Sequence, residues 1–354
     1  IGSRAGGQRR YPQGVHGDLG DDTIQAHAVV IPGLVPGIQL ATGCRVRGWL
    51  DPGDKRRDDT LWGKLMDCRL DILFLEALIN GLLLAGLLAL LALGLNLVFG
   101  VIDVVWICYA ELVMVGMYGI NYAYKGGAPF LLAALFGIIL VAIAGAALHF
   151  LVIRPVLETP PINQLLVTGG VLFFLQAAAT MAFGIEFQNI GIRLGSVSFA
   201  DMSFAWARVW AFLVAIGGML ALWQFLRRTY MGTAIRAIAQ DRQIMPLMGV
   251  DSRKLYLVTS AFGGGLAGLA AALMVLQYDI YPQIGLQFGP LIFMICVLGG
   301  LGNMIGGFVA AFIISQFIAV GSSCFHTEWG YAVAFLFFMV AIFIRPQGLF
   351  GGKS

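Results

Sequence analysis

The stretch RRTYMGTAIRAIAQDRQIMPLMGVDSRK, residues 227–254, decides the fold. It is the longest hydrophilic segment in the downstream four fifths of the chain. Apolar runs long enough to cross a bilayer flank it on both sides. Arg227, Arg228, Arg236, Arg242, Arg253 and Lys254 outweigh Asp241 and Asp251. Positive charge crowded into a short loop between spans marks the loop as cytoplasmic. Thr233 to Met248 is rich in Ala, Ile, Met, Arg and Gln, which favour helix. Gly232 and Gly249 stand at its two ends, and Pro246 limits the last turn. Ala234, Ile235, Ala237 and Ile238 give one apolar face. The segment predicts a short amphipathic helix held at the cytoplasmic surface.

Composition agrees. Of 354 residues, 59% are hydrophobic and 12% charged, against about half and a quarter in soluble domains. Forty-seven glycines fit closely packed membrane helices better than a β-barrel, whose strands would alternate in polarity. A net charge of +3 is too small to suggest nucleic acid. The five cysteines stand far apart, with no CxxC, so neither a zinc site nor a disulfide framework is indicated.

Residues 1–65 differ from the rest. They carry 9 of the 22 Lys+Arg and 7 of the 19 Asp+Glu, without sustained apolar periodicity. We expect them to be either translated upstream sequence, with the product proper beginning at Met66, or a disordered tail. From residue 66 to 354 the chain predicts one transmembrane permease domain. Its fold class is an all-α polytopic membrane protein. Spans are expected near 72–98, 101–123, 129–153, 162–184, 207–226, 255–277, 288–322 and 329–345. The seventh is interrupted by GGLGNMIGG, Gly299 to Gly307, so it is a broken helix or two short ones. That gives eight to nine transmembrane helices, with the amphipathic helix between spans five and six. Arg154, the central loop, Arg345 and Lys353 fall on one side, and the sparser Lys125, Arg193 and Arg208 on the other. The loop 185–206 is the largest outer connection, either a docking surface or a plain connector.

Sites of chemistry are sparse. The terminal GGKS lacks the glycine that a phosphate loop needs at 347, where Gln347 stands. GGGLAG, Gly263 to Gly268, lies inside an apolar span, where glycines serve close helix packing. His149 reads as a packed, hydrogen-bonded histidine, and His326 with Glu328 as surface decoration. Glu111 is either a residue of a polar pathway or a helix-terminal carboxylate reaching to the interface. No nucleophile has a histidine within sequence reach, so an enzyme is not expected. A secondary carrier would show inverted repeats and ionisable groups near midplane, and few such groups exist here.

LNLVFGVIDVVWICYAELVMVGMY, the basic loop GTAIRAIAQD…MGVD, the GGLGNMIGG break and the closing RPQGLFG occur in one order. Together they resemble the permease subunits of bacterial branched-chain amino acid ABC importers, the H-type more than the M-type. The resemblance covers Met66 to the C-terminus. It implies that Gly232, Arg236, Ala237, Asp241 and Gly249 form a coupling segment that docks on an ATPase. It implies a translocation path near Asn96, Tyr109 and Glu111, and no metal. It also implies that partner subunits use the ATP, with none bound by this chain. The implied partners are a paralogous permease, two ATP-binding cassette subunits, a periplasmic solute-binding protein and the lipid of a bacterial inner membrane. Where the family shows Asn-Phe-Ala-His-Gly-Glu, this chain has Trp106-Ile107-Cys108-Tyr109-Ala110-Glu111, keeping only the Glu. The solute therefore stays open between branched-chain amino acids, urea, short amides and similar small polar molecules.

Overall fold

The computed structural model describes residues 72–192, 195–199, 202–240, 251–324 and 327–351. The segment 1–65, together with Asp241, Gly249 and His326, lies outside the described residues. Among the described residues ten helices run in order: α1 (Ile72–Ile102), α2 (Tyr109–Lys125), α3 (Phe130–Val156), α4 (Pro161–Phe183), α5 (Trp206–Arg228), α6 (Tyr230–Gln240), α7 (Ser252–Met274), α8 (Ile284–Gly299), α9 (Met304–Cys324) and α10 (Thr327–Ile344). Six of them, α1, α3, α4, α5, α7 and α9, are long and apolar enough to cross a membrane. The remaining apolar helices α8 and α10 are shorter.

α1 is apolar all round, and such a helix is stable only when surrounded. It is the central pillar, packed by α9, α7, α5 and α8, and Leu87 through Leu93 are all buried. α3 and α7 form the other close pair, joined through the expected glycines. A Cβ on Gly268 would stand 2.7 Å from the Ile138 Cα, and one on Gly264 would stand 2.5 Å from the Val141 carbonyl oxygen. Inside α3, residues His149–Ile153 widen into a π-helical turn. Pro155 offers no N–H to the Leu151 carbonyl, and a wider turn is a common adjustment near such a gap. His149 is buried with its ring edge-on to Tyr256, 6.3 Å between centroids. It is packed as expected, but its Nδ1 makes no hydrogen bond.

Two expectations are amended, and one left open is decided. The second helix begins at Tyr109 rather than 101, because α1 continues to Ile102 and 103–108 is not helical. The 288–322 run is two helices, α8 and α9, separated where Gly300 and Gly302 take φ +94 and +82; only glycine adopts such angles without strain. The all-α class also gains a small hairpin, β1 (Ser196–Phe199) paired antiparallel with β2 (Met202–Ala205), inside the 185–206 loop.

The α3–α7 contact is testable. Gly268→Val should overpack it and cost about 1–3 kcal/mol, read as a lower unfolding midpoint in detergent, whereas Gly217→Ala, facing open space inside α5, should hold or raise the midpoint.

Candidate functional site

A carboxylate inside an apolar bundle is the group whose surroundings need most explanation. α1 closes at Asp103, a non-glycine residue at φ +58 whose N–H bonds the Phe99 carbonyl at 2.8 Å. The chain then runs six residues without helix. The Thr168 hydroxyl of α4 lies within hydrogen-bond reach of the Val105 carbonyl at 3.2 Å, shared with the Gln164 carbonyl of its own helix at 3.0 Å. Further along, the Gln176 amide of α4 donates to Glu111 Oε1 at 2.9 Å. Eight residues of helix separate Thr168 from Gln176, about 12 Å at 1.5 Å per residue. The 103–108 segment therefore climbs inside the bundle, and α2 begins at depth.

Glu111 lies in the first turn of α2, where free N–H groups and the helix dipole favour a carboxylate. It is fully buried, and Oε2 has no hydrogen-bond partner. It does not reach to an interface. α8 also begins here: a Cβ on Gly285 would overlap the Glu111 carboxylate. Glu111 thus sits where the starts of two helices meet the side of a third.

Asn96 and Tyr109 are buried too, but they contact other elements. The Tyr109 hydroxyl donates to the Gly263 carbonyl of α7 at 3.2 Å, filling space that Gly94 leaves open. Asn96 Oδ1 accepts the Gly302 N–H at 3.2 Å, tying α1 to the α8–α9 break, and its Nδ2 is unpartnered against Gly307. Trp106 is buried with its indole N–H unpaired. Asn96, Tyr109 and Glu111 thus bond to three different elements, the α8–α9 break, α7 and α4.

At the end of the bundle that carries α6, Thr229 caps the helix by accepting the Gly232 N–H at 3.0 Å. A Cβ on Gly232 would stand 2.5 Å from the Leu226 Cα, so the chain can fold back on α5 only with glycine there. Ala234, Ile235 and Ile238 are buried and Ala237 half-buried, whereas Arg236 is exposed. Arg236 has no ion-pair or hydrogen-bond partner among the described residues. It faces an open cavity of about 1190 Å³, together with Asp103, Trp223, Arg227, Leu301 and Phe350. Arg227 lies over the Trp223 ring at 5.0 Å.

Sequence reasoning missed Thr168, Gln176 and Gly285. The first two carried a signal, being polar side chains eight residues apart in an apolar span. Gly285→Ala should lower stability by about 1–3 kcal/mol through overlap with the carboxylate. Glu111→Ala in the same chain should restore part of it, and a thermal double-mutant cycle reads that coupling.

The family described as "Branched-chain amino acid transport system / permease component" matches residues 77–342. The high-affinity branched-chain amino acid transport system permease protein BraD of Pseudomonas aeruginosa is 28% identical over 294 residues, covering 78% of this chain and 96% of that protein. The corresponding permease protein LivH of Escherichia coli K12 is 28% identical over 296 residues, again 78% and 96%. A solved structure, PsaBC from Streptococcus pneumoniae in complex with Fab, aligns over 82% of this chain and 98% of that chain, with TM-score 0.43 and 14% identity.

Proposed function

Because this chain belongs to the family of branched-chain amino acid transport system permease components, we propose that it is the transmembrane subunit of an ATP-driven importer. Its solute is a branched-chain amino acid or a similar small polar molecule such as urea or a short amide. The relatives are transport permeases, a family of transporters rather than enzymes, and the chain is a multi-pass membrane protein.

The observation that carries the coupling part is the two-sided character of α6. Its apolar face is spent on the chain's own bundle, while Arg236 is exposed at the rim of an open cavity, without an ion-pair partner among the described residues. That arrangement leaves a fixed, basic joint for another protein. In this reading α6 faces the cytoplasm and docks on an ATPase subunit, with Gly232, Arg236, Ala237, Asp241 and Gly249 as its coupling residues. α2, α8 and α10 complete nine membrane-inserted helices. Asn96, Tyr109 and Glu111 belong to the walls of the path. A paralogous permease forms the second half of the path, two ATP-binding cassette subunits drive it, and a periplasmic binding protein delivers solute at the bacterial inner membrane.

ATP bound by the partners must favour one conformation over the other to move solute. The joint must therefore be stiff, and Gly232 pressed on the end of α5 makes it so. Gentle solubilisation of a tagged chain from the native membrane should bring down proteins with phosphate-binding loops and a second permease. Arg236→Glu should abolish ATP-driven uptake while the protein remains in the membrane at normal abundance. Purification of the chain alone, competent for uptake in vesicles without ATP, would overturn the reading.

A further inference from the structure

We propose that the first turns of α8, Ile284–Gly289, form a hinged cover that closes the translocation path over Glu111, with the hinge at Gly289–Pro290. The proposal rests on the reading that Glu111 borders the path.

The two halves of α8 are held by different parts of the molecule. Pro290 sits inside the helix and has no N–H for the Leu286 carbonyl, and its ring crowds the turn before it. The glycine ahead of it adds backbone freedom at the same point. Beyond the hinge, the helix is anchored. The Cys296 thiol donates to the Ala92 carbonyl of α1 at 3.5 Å, and the Leu298 carbonyl accepts the Leu349 N–H at 2.7 Å.

Before the hinge, α8 starts without a side-chain cap. Its entry turns are short-range bonds, from Ile284 N–H to the Tyr281 carbonyl and from Leu286 N–H to the Gln283 carbonyl, both 3.1 Å. Gly285 lies flat on the carboxylate beneath. A small void of about 10 Å³, bordered by Leu91, Val113, Met274, Ile284, Phe288 and Ile292, runs beside the hinge.

The cover has a handle. The Tyr281 hydroxyl donates to Gln287 Oε1 at 2.7 Å. Tyr281 adjoins Ile280, which exchanges two backbone hydrogen bonds with Gln188, of 2.9 and 2.8 Å. The Asn189 amide donates to Asp279 Oδ1 at 2.7 Å, and Phe187 packs against Tyr281 with centroids 5.0 Å apart. The 187–189 segment precedes the β1–β2 hairpin. A pull on that loop reaches Gly285 through seven residues of chain, and the hinge lets it move without disturbing the α8–α9 break.

The test uses the full chain in its membrane complex. Glu111→Cys is treated with a membrane-impermeant maleimide, with the wild-type chain as background for the native cysteines. Pro290→Ala restores the missing hydrogen bond and removes the ring clash, so labelling should slow by about tenfold. Gly289→Ala should slow it in the same direction. Amide hydrogen exchange on the otherwise unaltered chain should show residues 284–289 exchanging faster than 291–299, a readout that needs no variant to fold. Equal labelling rates in all three chains, or uniform protection along α8, would overturn the cover. Labelling that depends on the hinge in a complex without ATP-driven uptake would keep the cover and remove the path reading. ATP-driven uptake with labelling indifferent to the hinge would do the reverse.

Discussion

Backbone amides and carbonyls in an apolar interior must find partners within the protein, and three of the non-helical stretches among the described residues show how this bundle supplies them. Each interruption is closed by a side chain or strand-like contact from another element. The 103–108 run is held by Thr168 of α4. The 275–283 run is held by the paired bonds between Gln188 and Ile280. The 300–303 break is held by Asn96 of α1 and by Asn303, whose Oδ1 accepts the Gly306 N–H at 3.0 Å while its amide donates to the Phe350 carbonyl at 3.0 Å. The unwound places are thus the places where separate elements are bonded to one another. Glu111 lies where two of them meet.

That geometry separates the stiff parts of the molecule from the yielding ones. The glycine contacts of α3 with α7, and of Gly232 with α5, leave no side chain to rearrange. Packing of this kind passes displacement on instead of absorbing it. By contrast, the start of α8 has short-range entry bonds and a proline behind it. A transporter needs both qualities, a rigid frame and a limited region that changes shape.

Much of this was legible in the residues. The amphipathic face of α6 and the Gly299–Gly307 break follow from local composition, because charge and glycine act at the position where they occur, whereas α6 starts at Tyr230, two residues ahead of the expected glycine boundary. The start of α2 was hidden because VIDVVWIC is as apolar as a helix and differs only in its hydrogen bonding. The hairpin carried a weak signal, SVSF and MSFA alternating polar and apolar residues at the strand period. The meeting of Glu111, Gln176 and Gly285 had no signal, since the three are brought together by packing across distant parts of the chain. The resemblance placed Asn96, Tyr109 and Glu111 together, whereas the folded chain gives each a different neighbour.

The corner at the α8–α9 break also has a history in time. A Cβ on Gly299 would overlap the Gly306 backbone, Gly100 and Gly302 pack closely beside it, and Leu349 and Phe350 supply the last bonds. Residues 345–351 are synthesised after every element they fasten. While the ribosome is still adding them, the Leu298 carbonyl lacks the Leu349 partner and the Asn303 amide lacks the Phe350 carbonyl. The joint nearest the cavity is therefore the last to set during biogenesis, and a nascent chain can insert its earlier helices before this corner is locked.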